Sequence, residues 1–254
     1  MGKRIFWGIA SLLLLVSVFA VTPAAFAGEK VYINGIDANF PPFAYVNKNG
    51  VADGFDVKAV DWIAKEMGFK VKHKPIDWDG IIASLMAKKI DLIAAGLSMN
   101  EKRKQQVNFT NPYWRIKQVL VAPVKDTKTV DELLSSGNKV GVQRGTTEAK
   151  WINENLIKKA KKDFKLIYYD SAPLAVEDIL NGRIVAAAMD DAPANDAARK
   201  KPVRVVGTFG MKEENFGYAV RKQDKEFLAT LNEGLKRLQA SPYWEELKTK
   251  YELK

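Results

Sequence analysis

Three strand-to-helix junctions carry charged and hydroxyl groups where a small ion can be held. Gly96-Leu97-Ser98-Met99-Asn100-Glu101-Lys102-Arg103 follows an apolar run directly. Ser98 and Glu101 have the Ser-x-x-Glu spacing of a capping box, which predicts a helix whose free N–H groups point out of the strand end toward an anion. Arg103, in the first turns of that helix, adds a guanidinium able to meet a carboxylate through two parallel hydrogen bonds. Alone, a capped helix bearing a surface arginine is commonplace, and that is the simpler reading of the segment.

The second junction, Ala186-Ala187-Ala188-Met189-Asp190-Asp191, delivers two acids at the carboxyl end of an apolar strand, where open α/β sheets bind ligands. Asp190 is placed to hold a cation, or else one of the pair caps the following helix. The third, Gln143-Arg144-Gly145-Thr146-Thr147, offers hydroxyls and a glycine close to backbone amides, and is otherwise a tight turn. Aromatic residues accompany the charges. Phe40 and Phe43 sit in the proline-stiffened loop Asp37-Ala38-Asn39-Phe40-Pro41-Pro42-Phe43, and Trp78 opens a later helical unit; such rings either clasp a ligand side chain or pack as core.

These groups need a scaffold that brings strand ends together, and the apolar pattern supplies one. Val31 to Ile36 reads as a strand; Val60, Ile63, Ala64 and Met67 fall at helical spacing and stop at Gly68. A strand at Phe69 and Val71, a helix over Ile81 to Met86 and a bare strand from Ile90 to Ala95 follow. The rhythm repeats with strands near Gln118–Ala122, Lys139–Gln143, Leu166–Tyr169 and Ile184–Met189, separated by helices near Val130, Thr147 and Pro173. Helical sequence near Lys225–Leu238 and Trp244–Leu247 closes the chain. The prediction is an α/β fold in two lobes, each a mostly parallel sheet with helices on both faces, joined by two short hinge crossings near Arg115–Gln118 and Glu214–Gly217. The expected boundaries are 28–116 with 215–254 for lobe 1, and 117–214 for lobe 2.

Composition narrows the class. Lys3 and Arg4, the apolar run from Ile5 to Val21 and the motif Ala25-Phe26-Ala27 read as a signal peptide, residues 1–27, cleaved near Ala27. Of the formal charge of +10, Lys3 and Arg4 carry two, leaving +8 on residues 28–254. The lysines are scattered along helix faces without interleaved aromatics, so nucleic acid is not expected as a partner. With no cysteine and one histidine, disulfides, thiolate chemistry and a metal or other cofactor are not expected either.

Taken together, the segments resemble the polar amino-acid-binding family of periplasmic solute-binding proteins, which includes histidine-, lysine/arginine/ornithine- and glutamine-binding proteins. The resemblance spans residues 28–254 and rests on Asp37 to Phe43, Gly54-Phe55-Asp56, Trp78-Asp79-Gly80, Gly96 to Arg103, Asn108-Phe109-Thr110, Val140 to Thr147 and Asn181 to Asp190. It implies a type II periplasmic-binding-protein fold and capture of a free L-amino acid in the periplasm, with a membrane permease and ATPase as partners and the binding protein a monomer. Residue by residue it implies that Arg103, helped by Ala95, Gly96, Ser98 and Thr147, pairs with the α-carboxylate. Asp190 would hold the α-ammonium; Phe40 and Trp78 would clasp the side chain, with Asp37 and Gln143 near its tip. Phe40 stands where binders of basic amino acids often have Tyr, and Ala95-Gly96 is more like glutamine binders, so a basic amino acid and glutamine both remain open.

Two rivals share the fold. A cyclohexadienyl dehydratase would need a proton donor in the cleft; His73, in phase with Phe69 and Val71, reads as structural, Asp191 as a cap and Glu148 as an early helix residue. A receptor's sensory module would need a membrane and signalling segment after Lys254, which is not expected.

Overall fold

The computed structural model describes residues 1–2 and 30–253; the signal-peptide expectation falls on residues outside the described ones. Two five-stranded sheets form. In the first the spatial order is Lys70–Pro75, Val31–Ile36, Leu92–Ile93, Ala219–Arg221, Val107–Phe109; in the second it is Lys165–Tyr169, Lys139–Gln143, Ala186–Asp190, Gln118–Pro123, Val203–Thr208. Each sheet has one reversed strand: Ala219–Arg221 runs antiparallel to both neighbours, as does Gln118–Pro123. The other four strands of each sheet therefore point the same way.

The reversed strands identify where the chain crosses. Trp114–Ile116 and Glu214–Phe216 pair antiparallel as a two-stranded ribbon between the sheets. Each crossing delivers the chain to the carboxyl edge of the next sheet, so the first strand after it has to run back from that edge. The carboxyl edges of both sheets consequently face one another beside the ribbon.

Strand residues alternate between two buried layers, as a sheet covered on both faces requires. Leu92 packs with Phe55, Ile63 and Leu231, whereas Ile93 packs with Ile36, Ile81 and Leu85. In the second sheet Val140, Val142, Ala186 and Ala188 share a cluster with Leu133 and Ile152, and Val121, Ala187 and Met189 share the opposite one with Ala175 and Ile179. Helix Phe55–Met67 ends where the sequence predicts, at Gly68 with φ 72, a left-handed cap that glycine adopts without Cβ strain. His73 is held on the edge strand by Asn34 Nδ2 at 3.0 Å and Asp61 Oδ1 at 2.9 Å, a structural role as expected.

Because Leu92 is fully buried on a central strand, truncation to alanine leaves a cavity the sheet cannot close. Leu92→Ala is expected to lose about 2–5 kcal/mol in urea unfolding while keeping its far-ultraviolet spectrum. A loss below about 1 kcal/mol would contradict this packing.

Candidate functional site

Arg103 lies on the short helix Glu101–Gln106. The cap is Asn100, whose Oδ1 accepts Arg103 N–H at 2.8 Å, so the Ser98/Glu101 capping box does not form. Ser98 is still in extended backbone, bridged to Phe216, two residues too early to cap. Its carbonyl has another use. Arg103 Nη1 donates to Ser98 O at 3.0 Å and Nη2 to Gly145 O, in the opposite lobe, at 3.2 Å. The guanidinium also lies 5.5 Å from the Trp78 ring centroid, near enough for a cation–π contact. Burial lowers its pKa, and the charges of Glu214, Glu148 and Asp190 oppose that effect.

Gly96 has φ 65, and a Cβ there would come within 2.3 Å of the Phe40 ring, so backbone and aromatic wall fit only with glycine. Its N–H donates to Asp56 Oδ2 at 2.7 Å, which also accepts the Tyr113 hydroxyl at 2.7 Å. Burial pushes Asp56 up to about 7 despite those two bonds.

On the other side, Asp190 ends the strand Ala186–Asp190. It occupies the N-cap position of helix Asp191–Lys200, but its side chain does not cap; Oδ1 instead accepts from Gln118 Nε2 at 3.0 Å. Burial first, and then the charge of Glu148, raise Asp190 well above the usual carboxylate range. Thr146 caps helix Thr147–Trp151, accepting Ala149 N–H at 3.3 Å, which frees Thr147 to donate to Glu214 Oε2 at 2.6 Å. Gln143 Nε2 crosses the gap to Asp37 Oδ2 at 2.8 Å, while Asn39 N–H holds Oδ1 at 2.9 Å. Burial raises Asp37, the Gln143 and Asn39 bonds lowering it in part.

Phe40, Trp78, Gly96, Ser98, Arg103, Gln143, Thr147 and Asp190 line one narrow cavity between the lobes. Phe40 and Trp78 face each other nearly parallel, at 17° and 6.4 Å between centroids. Two expected residues stand elsewhere. Ala95 points into the core with Ile81 and Leu85, and Asp37 backs the wall behind Gln143. Glu148 was expected as an ordinary early helix residue; it is 4% exposed, lines the cavity, and is pushed up to about 7 mainly by burial. Thr146, Ala172 and Met189 complete the wall. A larger cleft, beside Trp114, Asp191 and Glu252, is more open, and its charged residues include the interlobe pair Arg199–Glu252. Convergent buried charge, not size, selects the smaller cavity.

Two lobes flanking a charged cavity at facing strand ends define the class, a type II solute-binding protein. Residues 32–254 match the bacterial extracellular solute-binding proteins, family 3, and the chain belongs to that family. It is 33% identical to the histidine-binding periplasmic protein of Escherichia coli strain K12, covering 94% of each chain. Among solved structures, an ancestral arginine-binding protein bound to arginine superposes with a TM-score of 0.80 at 33% identity, over 88% of this chain and 98% of the other. An ancestral amino acid-binding protein, a precursor of cyclohexadienyl dehydratase, gives 0.80 at 31% identity, over 87% and 95%.

Asp56 supplies a pH test of this wall. Its carboxyl binds its proton more tightly in the folded chain, at about 7 against an ordinary 3.8, so its contribution to stability is complete below pH about 4 and is lost as pH rises through about 7. Asp56→Asn keeps an acceptor for Gly96 and Tyr113 without the charge. Urea unfolding of this variant should lose less stability than the parent between pH 5 and 8; parallel curves would show that Asp56 does not titrate there.

Proposed function

We propose that this protein captures one free polar L-amino acid, with a cationic side chain or glutamine, and presents it to an ABC importer. One observation carries the reading: the buried guanidinium of Arg103 and the buried carboxylate of Asp190 belong to opposite lobes and line a single cavity. A zwitterion brings a carboxylate for the first and an ammonium for the second, so both are paired only when the lobes shut around it. Closure would bend the ribbon Trp114–Ile116/Glu214–Phe216, with residues 28–116 and 215–254 moving against 117–214. Buried acids outnumber buried arginine in this region, since Asp37, Glu148 and Asp190 accompany Arg103, which favours a cationic side chain over glutamine.

The signal-like sequence of residues 1–27 supports export, and the relative from Escherichia coli is named as periplasmic. A permease and an ATPase are the partners of such a binder. It acts as a monomer, without a cofactor or nucleic acid.

A second reading, dehydration of prephenate or arogenate, draws on Glu148, a buried acid in the cavity wall. Binding without turnover is favoured because one cationic and one acidic group on the two lobes match the two ends of an intact zwitterion. Incubation with either compound should return it unchanged.

A thermal-shift panel of the common L-amino acids tests the main reading. A ligand at a hundredfold its Kd adds about 2.7 kcal/mol, or roughly 5–10 °C for a chain of this size. One or a few polar amino acids should respond. Arg103→Ala and Asp190→Ala should each weaken binding by about 2–5 kcal/mol while remaining folded. Full binding in both variants would refute the site.

A further inference from the structure

The cleft holds more acid than one zwitterion uses. Glu148, Glu214 and Asp190 cluster around two donors. The Thr147 hydroxyl lies 2.6 Å from Glu214 Oε2 and 3.5 Å from Glu148 Oε2. The Gln118 amide lies 3.0 Å from Asp190 Oδ1 and 3.4 Å from the same Glu214 oxygen. Arg103 is the cation facing them, and two of its donors are taken by the carbonyls of Ser98 and Gly145.

Three carboxylates beside one guanidinium would leave two uncompensated negative charges in a mostly buried space. Desolvation makes that costly, and a buried acid relieves it by keeping a proton. Interacting acids then share protons as a group rather than titrating singly. The surroundings on every element are accounted for: Thr146 and Thr147 on the helix of Glu148, Arg103 from the opposite lobe, Glu214 on the crossing, and Gln118, Asp191 and Lys117 beside Asp190.

We propose that the unliganded cleft carries a proton shared between Glu148 and Asp190, and that the ligand's ammonium displaces it to solvent, making Glu148 a second seat for positive charge. The step balances: an ammonium enters, a carboxylic acid becomes a carboxylate, and one proton leaves to the buffer. This rests on the reading of Asp190 as the ammonium site. The raised titration of both acids agrees with it, Glu148 reaching about 7.

Because the free protein holds a proton that the complex lacks, affinity rises with pH up to the titration range and levels off above it. The slope is at most tenfold per pH unit. Titration calorimetry of the purified protein with L-arginine, L-histidine and L-glutamine, in phosphate and in Tris at pH 6 to 8, reads the protons released. The expected result is a release approaching one proton at pH 6 and falling toward zero at pH 8, largely abolished in Glu148→Gln, whose affinity is lower than the parent's at pH 8 and no longer rises with pH. Equal enthalpies in the two buffers with a pH-independent Kd would overturn the proposal, as would undiminished release from the Gln variant. If none of the three amino acids binds at any pH, the ligand reading fails and takes this proposal with it. Binding without proton release removes only the proposal.

Discussion

A buried guanidinium has to be held by acceptors that do not neutralise it, and that constraint organises the cleft. Arg103 meets it with two main-chain carbonyls, one from its own lobe at Ser98 and one from the other at Gly145. Carbonyl dipoles orient the group and leave its charge unspent, so it stays available to a carboxylate. The Gly145 contact also ties ligand geometry to lobe position. An anion held at Arg103 would therefore bear on both lobes at once.

The rest of the fold maintains that link. Facing carboxyl edges follow from the reversed strand after each crossing, which brings Asp190 opposite Gln118 next to the ribbon. Two buried apolar layers pack each lobe around its own sheet, and the short ribbon joins the lobes. Gln143–Asp37 is a second polar tie across the gap, set behind the cavity wall. The cleft gathers more acidic groups than its one arginine, which distinguishes this site from a neutral polar pocket.

Much of this was legible in the residues. Bare runs such as Ile90 to Ala95 and Ala186 to Met189 marked central strands because both faces are covered, and Gly68 marked a helix end because only a left-handed cap fits there. Local signals failed where tertiary contacts decide. Ser98 has the spacing of a cap but is held extended by Phe216, and the nearer Asn100 takes the role. Strand Val203–Thr208 was missed; Arg204 and Gly207 interrupt its apolar run, and its shape comes from pairing with Gln118–Pro123. The short strands Asn39–Phe40, Ala44–Val46 and Ala52–Asp53 hid within a loop rich in proline and asparagine. Glu148 looked like a solvated first-turn acid, because nothing local reveals that the opposite lobe covers it. Ala95 erred the other way, since period-two alternation sends it into the core while Gly96 reaches the cavity.

The central claim is that two oppositely charged groups on separate lobes hold the two ends of one zwitterion. Measuring the Kd of L-arginine against its decarboxylated amine and its deaminated acid isolates each end without altering the protein. The account predicts that each analogue binds at least a hundredfold more weakly than the intact amino acid, and that neither induces the compact scattering profile of the closed form. An analogue binding as tightly as arginine would show that the missing end is not held, and would contradict the account.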